Sequence, residues 1–331
     1  MRLRRLARFV LAGVVLPGAT AGAQDLAPGK PVPPEVARIV AGLDGDNPLV
    51  RSAAREQLRG LDPQTRADAI GPVARLLGAK DPTTRAVTAF ALGDLGPVAR
   101  PAVGRLTACL RDDDRTVRYA AATALGAIGP GAASAVPALT RALKDDSVSV
   151  RVAAAEALFG VAEDVAAIPV LVAALDDPHP GNRWHAALVL GRYGPRAKSS
   201  AEALRRRLDD EDALTRINAA GALWRVARGA EAVPALVREM KAESILRYVA
   251  ADVLWDVTRD PEVIDTLNEA LRHPDSIHRF LAALSLGRVG APAAKAVEGL
   301  RKLLDDEDEH VRKAAAAAVA AIVTPPEPVR K

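Results

Sequence analysis

Few residues of this chain are of the types that carry enzyme chemistry, and their spacing does not bring them together. A metal site needs histidines and carboxylates that converge from paired helices. No Gly-x-Ser-x-Gly, His-Glu-x-x-His or Cys-x-x-Cys motif occurs, and the one cysteine, Cys109, has the apolar spacing of a core residue. These observations predict no metal site and no cofactor, and they disfavour enzymatic activity without excluding it. The five histidines are His179, His185, His273, His278 and His310.

Nine arginines recur along the chain at intervals of 31 to 34 residues, and the residues around them repeat as well. A fixed period of this size is typical of a stack of helical hairpins. The pattern predicts an all-α, right-handed α-solenoid of about nine hairpins, in which the second helix of each hairpin carries the arginine. The nine are Arg51, Arg85, Arg118, Arg151, Arg183, Arg216, Arg247, Arg279 and Arg312.

Each of these arginines falls in the first turn of its helix, where the helix dipole disfavours a cation. An acidic residue lies four to six positions upstream in every repeat. We therefore expect a structural ladder, in which each arginine bonds turn oxygens or carboxylates of its own and adjacent repeats. Gly126-Ala-Ile-Gly129-Pro130 and its counterparts close the repeats and are interpreted as helix caps.

We number the positions of each second helix from its arginine, so that +7 is the seventh residue after it. On a helical wheel, positions +3, +4, +7 and +10 surround the arginine and are mostly alanine, leucine, valine and isoleucine, which predicts the core. Positions +1, +2, +5, +8 and +9 point away from that side. Beyond the first 23 residues, every aromatic residue except Tyr193 lies at +1, +5 or +8.

Aromatic and charged residues are concentrated at these outward positions in repeats 5 to 8. Aromatic anchors with a charged rim are typical of protein interaction sites. For the +8 residues, packing between neighbouring second helices is an equal alternative. The predicted binding residues are Trp184, His185, Arg192, Asn218, Trp224, Arg225, Tyr248, Asp252, Trp255, Asp256, Phe280 and Arg288.

The two ends of the chain differ in composition from the repeats. Residues 1–23 combine four arginines, a short apolar run and Ala21-Gly22-Ala23, which is the pattern of a cleaved secretory signal. The apolar run is too short to span a bilayer. We expect cleavage after Ala23 and export from the bacterial cytoplasm, either to the periplasm or to the outside of the cell. We expect the cleaved protein to have no membrane-spanning segment. The remaining divisions are a Pro-rich linker at 24–33, the repeats at 34–323 and a Pro-rich disordered tail at 324–331.

Removal of the signal would cancel the positive charge of the chain. The signal holds four of the 45 basic residues and none of the 41 acidic ones, so both signs balance in the remainder. A surface that binds nucleic acid needs a surplus of basic residues on one face. The sequence therefore predicts no nucleic-acid partner.

The repeated motif resembles HEAT repeats, in particular the short bacterial variety related to the phycobilisome lyases. It reads Asp-x3-5-Val-Arg-x2-Ala-Ala-x-Ala-Leu-Gly, preceded by Ala-Val-Pro-Ala-Leu. The resemblance implies that the second helices line a concave face, about 65–80 Å long at the usual helix spacing. Relatives of this kind include scaffolds, bilin lyase subunits and deoxyhypusine hydroxylase, but the His-Glu dipeptides by which the last of these takes iron are absent here.

Together these patterns favour an exported, non-enzymatic scaffold that binds a protein or peptide along its concave face. The alternative is an enzyme or enzyme subunit of the lyase-like or hydroxylase-like type, with its site in the central repeats. Converging His, Asp and Arg side chains in one pocket would favour the enzyme, and a broad mixed-charge surface would favour the scaffold. The sequence does not determine the oligomeric state.

Overall fold

The computed structural model describes residues 32–324, and these fold into nine helical hairpins. The predicted all-α solenoid is confirmed. The predicted signal, nearly all of the linker and nearly all of the tail lie outside the described residues. The first helices of the hairpins are α1 (Pro34–Asp44), α3 (Pro63–Arg75), α5 (Val103–Cys109), α7 (Val136–Ala142), α9 (Ile168–Ala174), α11 (Ala201–Arg206), α13 (Ala232–Lys241), α15 (Pro261–Ala270) and α17 (Val297–Lys302). The second helices are α2 (Pro48–Gly60), α4 (Pro82–Asp94), α6 (Arg115–Ile128), α8 (Val148–Ala162), α10 (Pro180–Tyr193), α12 (Ala213–Ala227), α14 (Arg247–Thr258), α16 (Ser276–Val289) and α18 (Glu309–Val323).

The acidic turns begin the second helices by capping them. In α6, for example, the carboxylate of Asp114 accepts the backbone N–H groups of Thr116 and Val117. Asp81, Asp212, Asp275 and Asp308 cap their helices in the same way. Such a cap satisfies backbone donors that have no partner within the helix. Upstream acids therefore cap five of the nine second helices, while Asn47 and His179 cap α2 and α10.

The arginines bond to oxygens of two repeats. Arg118 donates from Nη1 to the backbone carbonyls of Asp112 and Asp113, in the turn before its own helix. Its Nε and Nη2 atoms donate hydrogen bonds to the carboxylate of Asp145, in the next repeat, at 2.8 and 2.9 Å. Bidentate charge-assisted bonds of this kind fix the geometry of both groups. Each such arginine thus ties its own turn to the following one.

A carboxylate of the next repeat binds six of the nine arginines. The six pairs are Arg51–Asp81, Arg85–Asp112, Arg118–Asp145, Arg183–Asp210, Arg216–Glu239 and Arg279–Asp306.

The other three arginines depart from the expected ladder. Arg151 and Arg312 bond only to carbonyls of their own turns. Arg247 has no hydrogen bond or ion pair with its side chain among the described residues. His273 stands at the position where the next repeat would supply a carboxylate to Arg247, and Arg312 belongs to the last repeat. The expectation of a partner for every arginine was therefore wrong at Arg247.

The core includes the positions that the helical wheel predicts and extends beyond them. Residues at +3, +4, +7 and +10 are buried in most repeats, as with Ala121, Ala122, Leu125 and Ile128 of α6. The +6 residues are buried as well, and Ala124 is an example. Because +6 faces sideways, its burial indicates that each second helix packs against its neighbours on both flanks.

The residue at +8 sets how closely one second helix approaches the next. Four repeats carry glycine there, and a Cβ added to Gly126 would lie 3.0 Å from the Cα of Ala157 in α8. Gly93, Gly191 and Gly287 face an alanine of the next second helix in the same manner. A side chain would not fit, so glycine permits backbone contact. We call these junctions close joints; Gly126, expected to cap its helix, instead packs within it.

Three repeats carry an aromatic ring at +8 and form what we call open joints. The residues are Phe159, Trp224 and Trp255, and they hold α8, α12 and α14 away from α10, α14 and α16. These helix pairs share far less contact than the pairs at close joints. The connection from the second helix to the next hairpin differs as well. A 3-10 segment, such as Gly129–Ala135, follows the second helix in repeats with glycine at +8. A single residue in the left-handed conformation follows it in repeats with an aromatic residue at +8.

One stretch, Arg115–Ala142, is long and apolar enough to cross a membrane by length and composition alone. It comprises α6, a 3-10 segment and α7, and Ala132 interrupts the helical conformation between them. Both of its leucines and most of its alanines are buried against neighbouring hairpins. The apolar character of this stretch is thus explained by its place in the solenoid core.

We expect Gly126→Leu to lower the free energy of unfolding by about 2–3 kcal/mol, because a side chain at this close joint must push α6 away from α8. Urea denaturation followed by far-UV circular dichroism measures the change. The matched control is Gly104→Ala in α5, where an added Cβ meets nothing within 4 Å. The control should be neutral or stabilising by up to about 1 kcal/mol. Similar losses in both variants would contradict the close-joint interpretation.

Candidate partner-binding surface

The solvent-exposed edge of the second helices is a strip centred on the +9 position. We call this strip, formed by +2, +5 and +9 together with the side chains at the helix C-termini, the outer edge. Of the predicted binding residues, Arg192, Asp256 and Arg288 are exposed on it. His185, Asn218, Arg225 and Asp252 are half-buried beside them, as are Trp184, Trp224 and Phe280 on the adjoining flank.

The sequence-based orientation was wrong for two predicted binding residues, Tyr248 at +1 and Trp255 at +8. They are only 3% and 6% exposed. Positions +1 and +8 are one heptad apart and share the flank that faces the next second helix. The hydroxyl of Tyr248 accordingly lies 3.0 Å from Nδ1 of His278, in α16. The +8 alternative of packing between neighbouring helices is therefore the correct one for Trp255.

The open joint between α8 and α10 carries a cluster of three polar side chains. Glu156, at +5 of α8, contacts Nε2 of His185 at 2.9 Å and also pairs with Arg192, both of which belong to α10. Burial alone would raise the pKa of Glu156, but the bond with His185 and the charge of Arg192 outweigh it and lower the pKa. The ionised carboxylate of Glu156 thus bridges α8 and α10, and both of its partners belong to this chain.

The open joint between α14 and α16 has an equivalent bridge with different electrostatics. Asp252, at +5 of α14, pairs with Arg288 and is bonded by the Ser285 hydroxyl, both in α16. Burial raises the pKa of Asp252 to about 6, because the attraction of Arg288 and the Ser285 bond only partly offset desolvation, and Asp256 adds repulsion. This carboxyl group is therefore close to half-protonated at a mildly acidic pH.

The joint between α12 and α14 holds a cation with no close anion. Arg225 approaches Asp256 only to 3.9 Å, and its side chain makes no hydrogen bond among the described residues. Burial lowers the pKa of the Arg225 guanidinium, although the side chain keeps its charge. Beside it, Arg228 and Arg259 lie over the rings of Trp224 and Trp255, with Cζ at 5.3 and 5.4 Å from the ring centroids.

The remaining candidates help to position their surroundings. Asn218 donates from Nδ2 to the carbonyl of Leu214, one turn earlier in α12. The ring of Trp184 lies against that of His185 at 5.6 Å between centroids. Phe280 packs on the margin of the core in α16. Their half-burial gives each a fixed orientation at the border of the outer edge.

The polar residues do not form a single pocket. No three His, Cys, Asp or Glu side chains of residues 32–324 are placed to share a metal ion. A cavity of about 420 Å³ opens beside the turns of α12 and α13, and one of about 140 Å³ lies between α15 and α17. Neither is lined by a predicted binding residue. The clusters at the open joints are instead spread along the outer edge.

Sequence reasoning missed three residues of this surface: Glu156, Arg228 and Arg259. Glu156 occupies +5, an outward position on the wheel, so its spacing could have revealed it. The two arginines follow the helix at +12, beyond the wheel. In repeats with glycine at +8, a Gly-Pro or Gly-Ala pair follows the second helix. Repeats 6 and 7 lack this pair, and that difference could have drawn attention to Arg228 and Arg259.

The hairpin stack, with its side-chain ladder and open outer edge, defines an α-helical repeat protein. The chain belongs to the HEAT-repeat family, whose sequence profile matches residues 72–159, 103–179, 168–255 and 233–321. The resemblance of the repeated motif to HEAT repeats is thus confirmed. No curated protein matches the sequence at a significant level.

Two solved structures are similar to this chain. One is an engineered protein, with 24% sequence identity and a TM-score of 0.40, covering 87% of this chain and 88% of the other. The second is the complex of CpcE and CpcF of phycocyanin lyase from Nostoc sp. PCC7120. It has 20% identity and a TM-score of 0.46, covering 86% of this chain and 100% of the other.

The raised pKa of Asp252 predicts how its replacement changes stability with pH. In the unfolded chain this carboxyl group ionises near its ordinary pKa of 3.8, whereas in the fold it holds its proton up to about pH 6. The stability that this raised pKa gives is therefore fully present below about pH 4, is lost as the pH rises to the folded pKa of about 6, and is absent above it. We expect Asp252→Asn to raise the free energy of unfolding by about 1–3 kcal/mol at about pH 8, and much less near pH 4.

Urea denaturation of wild type and Asp252→Asn across this pH range tests the expectation. Asp305→Asn, which removes an exposed carboxylate without an ion pair, is the control and should change stability by less than about 0.5 kcal/mol throughout. A loss of stability in Asp252→Asn at high pH would mean that the pair with Arg288 outweighs desolvation.

Proposed function

We propose that this protein is an exported, non-enzymatic scaffold that binds a protein or peptide partner along its concave face, at the outer edge of repeats 5 to 8. One observation carries the proposal: each of these four repeats has a charged residue at +9 and an aromatic residue at +1 or +8, whereas repeats 3 and 9 have small residues at +5 and +9. In repeat 3 the +5 and +9 residues are Thr123 and Ala127, and in repeat 9 they are Ala317 and Ala321. A helical repeat array offers such an extended surface without any further domain.

The distribution of the polar clusters supports a scaffold over an enzyme. Glu156 and His185 belong to the joint between repeats 4 and 5, whereas Asp252 and Arg288 belong to the joint between repeats 7 and 8. A catalytic site would bring such groups to one reacting atom. A row of separate clusters suits a partner that contacts several repeats in turn.

Export is the second part of the proposal and rests on the sequence of residues 1–23. The short apolar run after four arginines and the Ala21-Gly22-Ala23 end favour cleavage by signal peptidase. Intact-mass measurement of the protein from the envelope fraction of its native cell should give a chain that starts at Gln24. Recovery of the chain from Met1 in the cytoplasm would overturn the export proposal and leave the binding proposal standing.

We expect Trp184→Ala to weaken capture of the native partner by about 1–3 kcal/mol, because truncation of an aromatic anchor removes its contacts at the interface. Quantitative pull-down from the native envelope fraction, with mass spectrometry, measures capture. Lys313→Ala in repeat 9 is the control and should not change it. Far-UV circular dichroism must show unchanged helicity in both variants.

Tyr248→Ala gives a useful contrast, since Tyr248 is fully buried whereas Trp184 is half-buried. It should reduce stability, because the ring and its bond to His278 are lost. Normal folding of Trp184→Ala together with wild-type capture would remove Trp184 from the proposed surface.

A further inference from the structure

Three arginines on the outer edge of repeats 6 and 7 lack a close anionic partner. Arg228 and Arg259 form no ion pair with any described residue, and Arg225 has only the distant carboxylate of Asp256. Elsewhere on the outer edge the arginines are paired, as Arg192 is with Glu156 and Arg288 with Asp252. The outer edge of repeats 6 and 7 therefore carries an excess of positive charge.

Arg228 and Arg259 are also held in place by an unusual backbone. Both follow the last residue of a second helix in the left-handed conformation, with φ of 53° and 57°. Glycine is the residue that adopts this conformation without steric cost. Each guanidinium instead lies over the indole ring of the preceding turn. The planes of two equivalent arginines are thereby presented one repeat apart, which reduces the ordering cost of binding.

The spacing and charge of these arginines suit an acidic polypeptide. Helices in direct contact stand about 8–10 Å apart, which is the least separation to expect across an open joint. In a polyproline II peptide, residues three positions apart lie on one face at about 9 Å, so acids that contact two successive repeats would lie at least three residues apart. Nucleic acid fits less well, because its closely spaced phosphates would also meet the carboxylate of Asp256, which lies 3.9 Å from Arg225.

We propose that Arg225, Arg228 and Arg259 form a binding site for an extended acidic segment of the partner, with carboxylates at least three residues apart. The proposal rests on the proposed scaffold function and adds the chemistry of the partner. Each guanidinium offers paired donors to a carboxylate. The tryptophan rings beneath keep Arg228 and Arg259 oriented while the peptide binds.

A synthetic peptide tests the site without knowledge of the native partner. The probe is fluorescein-labelled Glu-Pro-Pro repeated four times, and its counterpart carries Gln in place of Glu. Fluorescence anisotropy with the full chain should show the acidic probe binding at least about tenfold more tightly than the Gln probe, because charged hydrogen bonds are lost in the latter. Added salt should weaken the acidic probe selectively.

The double variant Arg228→Glu/Arg259→Glu should weaken the acidic probe by more than about tenfold. Repeat 4 already carries a glutamate, Glu163, in the same left-handed position, so the fold accommodates this residue. Arg228→Gly/Arg259→Gly provides a second variant, which relieves the left-handed backbone and removes the charge. The control Arg105→Gln/Arg141→Gln removes two exposed arginines of first helices and should change binding by less than about twofold.

Several results would overturn the proposal. Equal binding of the Glu and Gln probes would exclude recognition of carboxylates. Unchanged binding by both double variants, with unchanged urea denaturation, would place the site elsewhere. Single-stranded oligothymidylate binding as tightly as the acidic probe would indicate a general polyanion site. If the acidic probe fails while Trp184-dependent capture of the native partner persists, the scaffold function stands and only the partner chemistry is wrong.

Discussion

The distance between neighbouring second helices is the constraint on which the rest of the solenoid depends. One residue per repeat, at +8, sets that distance. Glycine lets the backbone of α6 come into contact with α8, and an aromatic ring keeps α8 away from α10. Since interiors are packed at near-crystalline density, neither group can replace the other without moving a whole hairpin. The residue at +8 thus determines how a whole hairpin of some thirty residues is placed against its neighbour.

The polar contacts follow the type of joint. At close joints the arginine reaches a carboxylate in the turn of the next repeat, as Arg118 reaches Asp145. At open joints this arrangement changes: Arg151 and Arg247 have no such partner, and Arg216 uses Glu239 on α13. Two of these joints gain a bridge on the opposite side, from a +5 carboxylate to a +9 arginine. Ion pairs therefore move from the turns to the outer edge where the helices separate.

The sequence predicts the hairpins and the core because both depend on a period within one chain segment. Leu125 and Ala121 face inward on any wheel centred on Arg118, and the aromatics all fall on second helices as expected. The flanks are different, since their burial depends on a neighbour some thirty residues away. Tyr248 and Trp255 point away from their own hairpin, and it is the next hairpin that covers them. The pairing of Asp252 with Arg288 could not be predicted for the same reason.

The alternation of joints has a mechanical consequence. Repeats 2 to 4 are joined through Gly93 and Gly126, repeats 5 and 6 through Gly191, and repeats 8 and 9 through Gly287. Each group should move as a stiff block, because backbone contact along a helix leaves little room for displacement. Bending will then be concentrated at Phe159, Trp224 and Trp255, where fewer contacts resist it. Tension or compression of the array would change its curvature at three hinges and leave the core of every block intact.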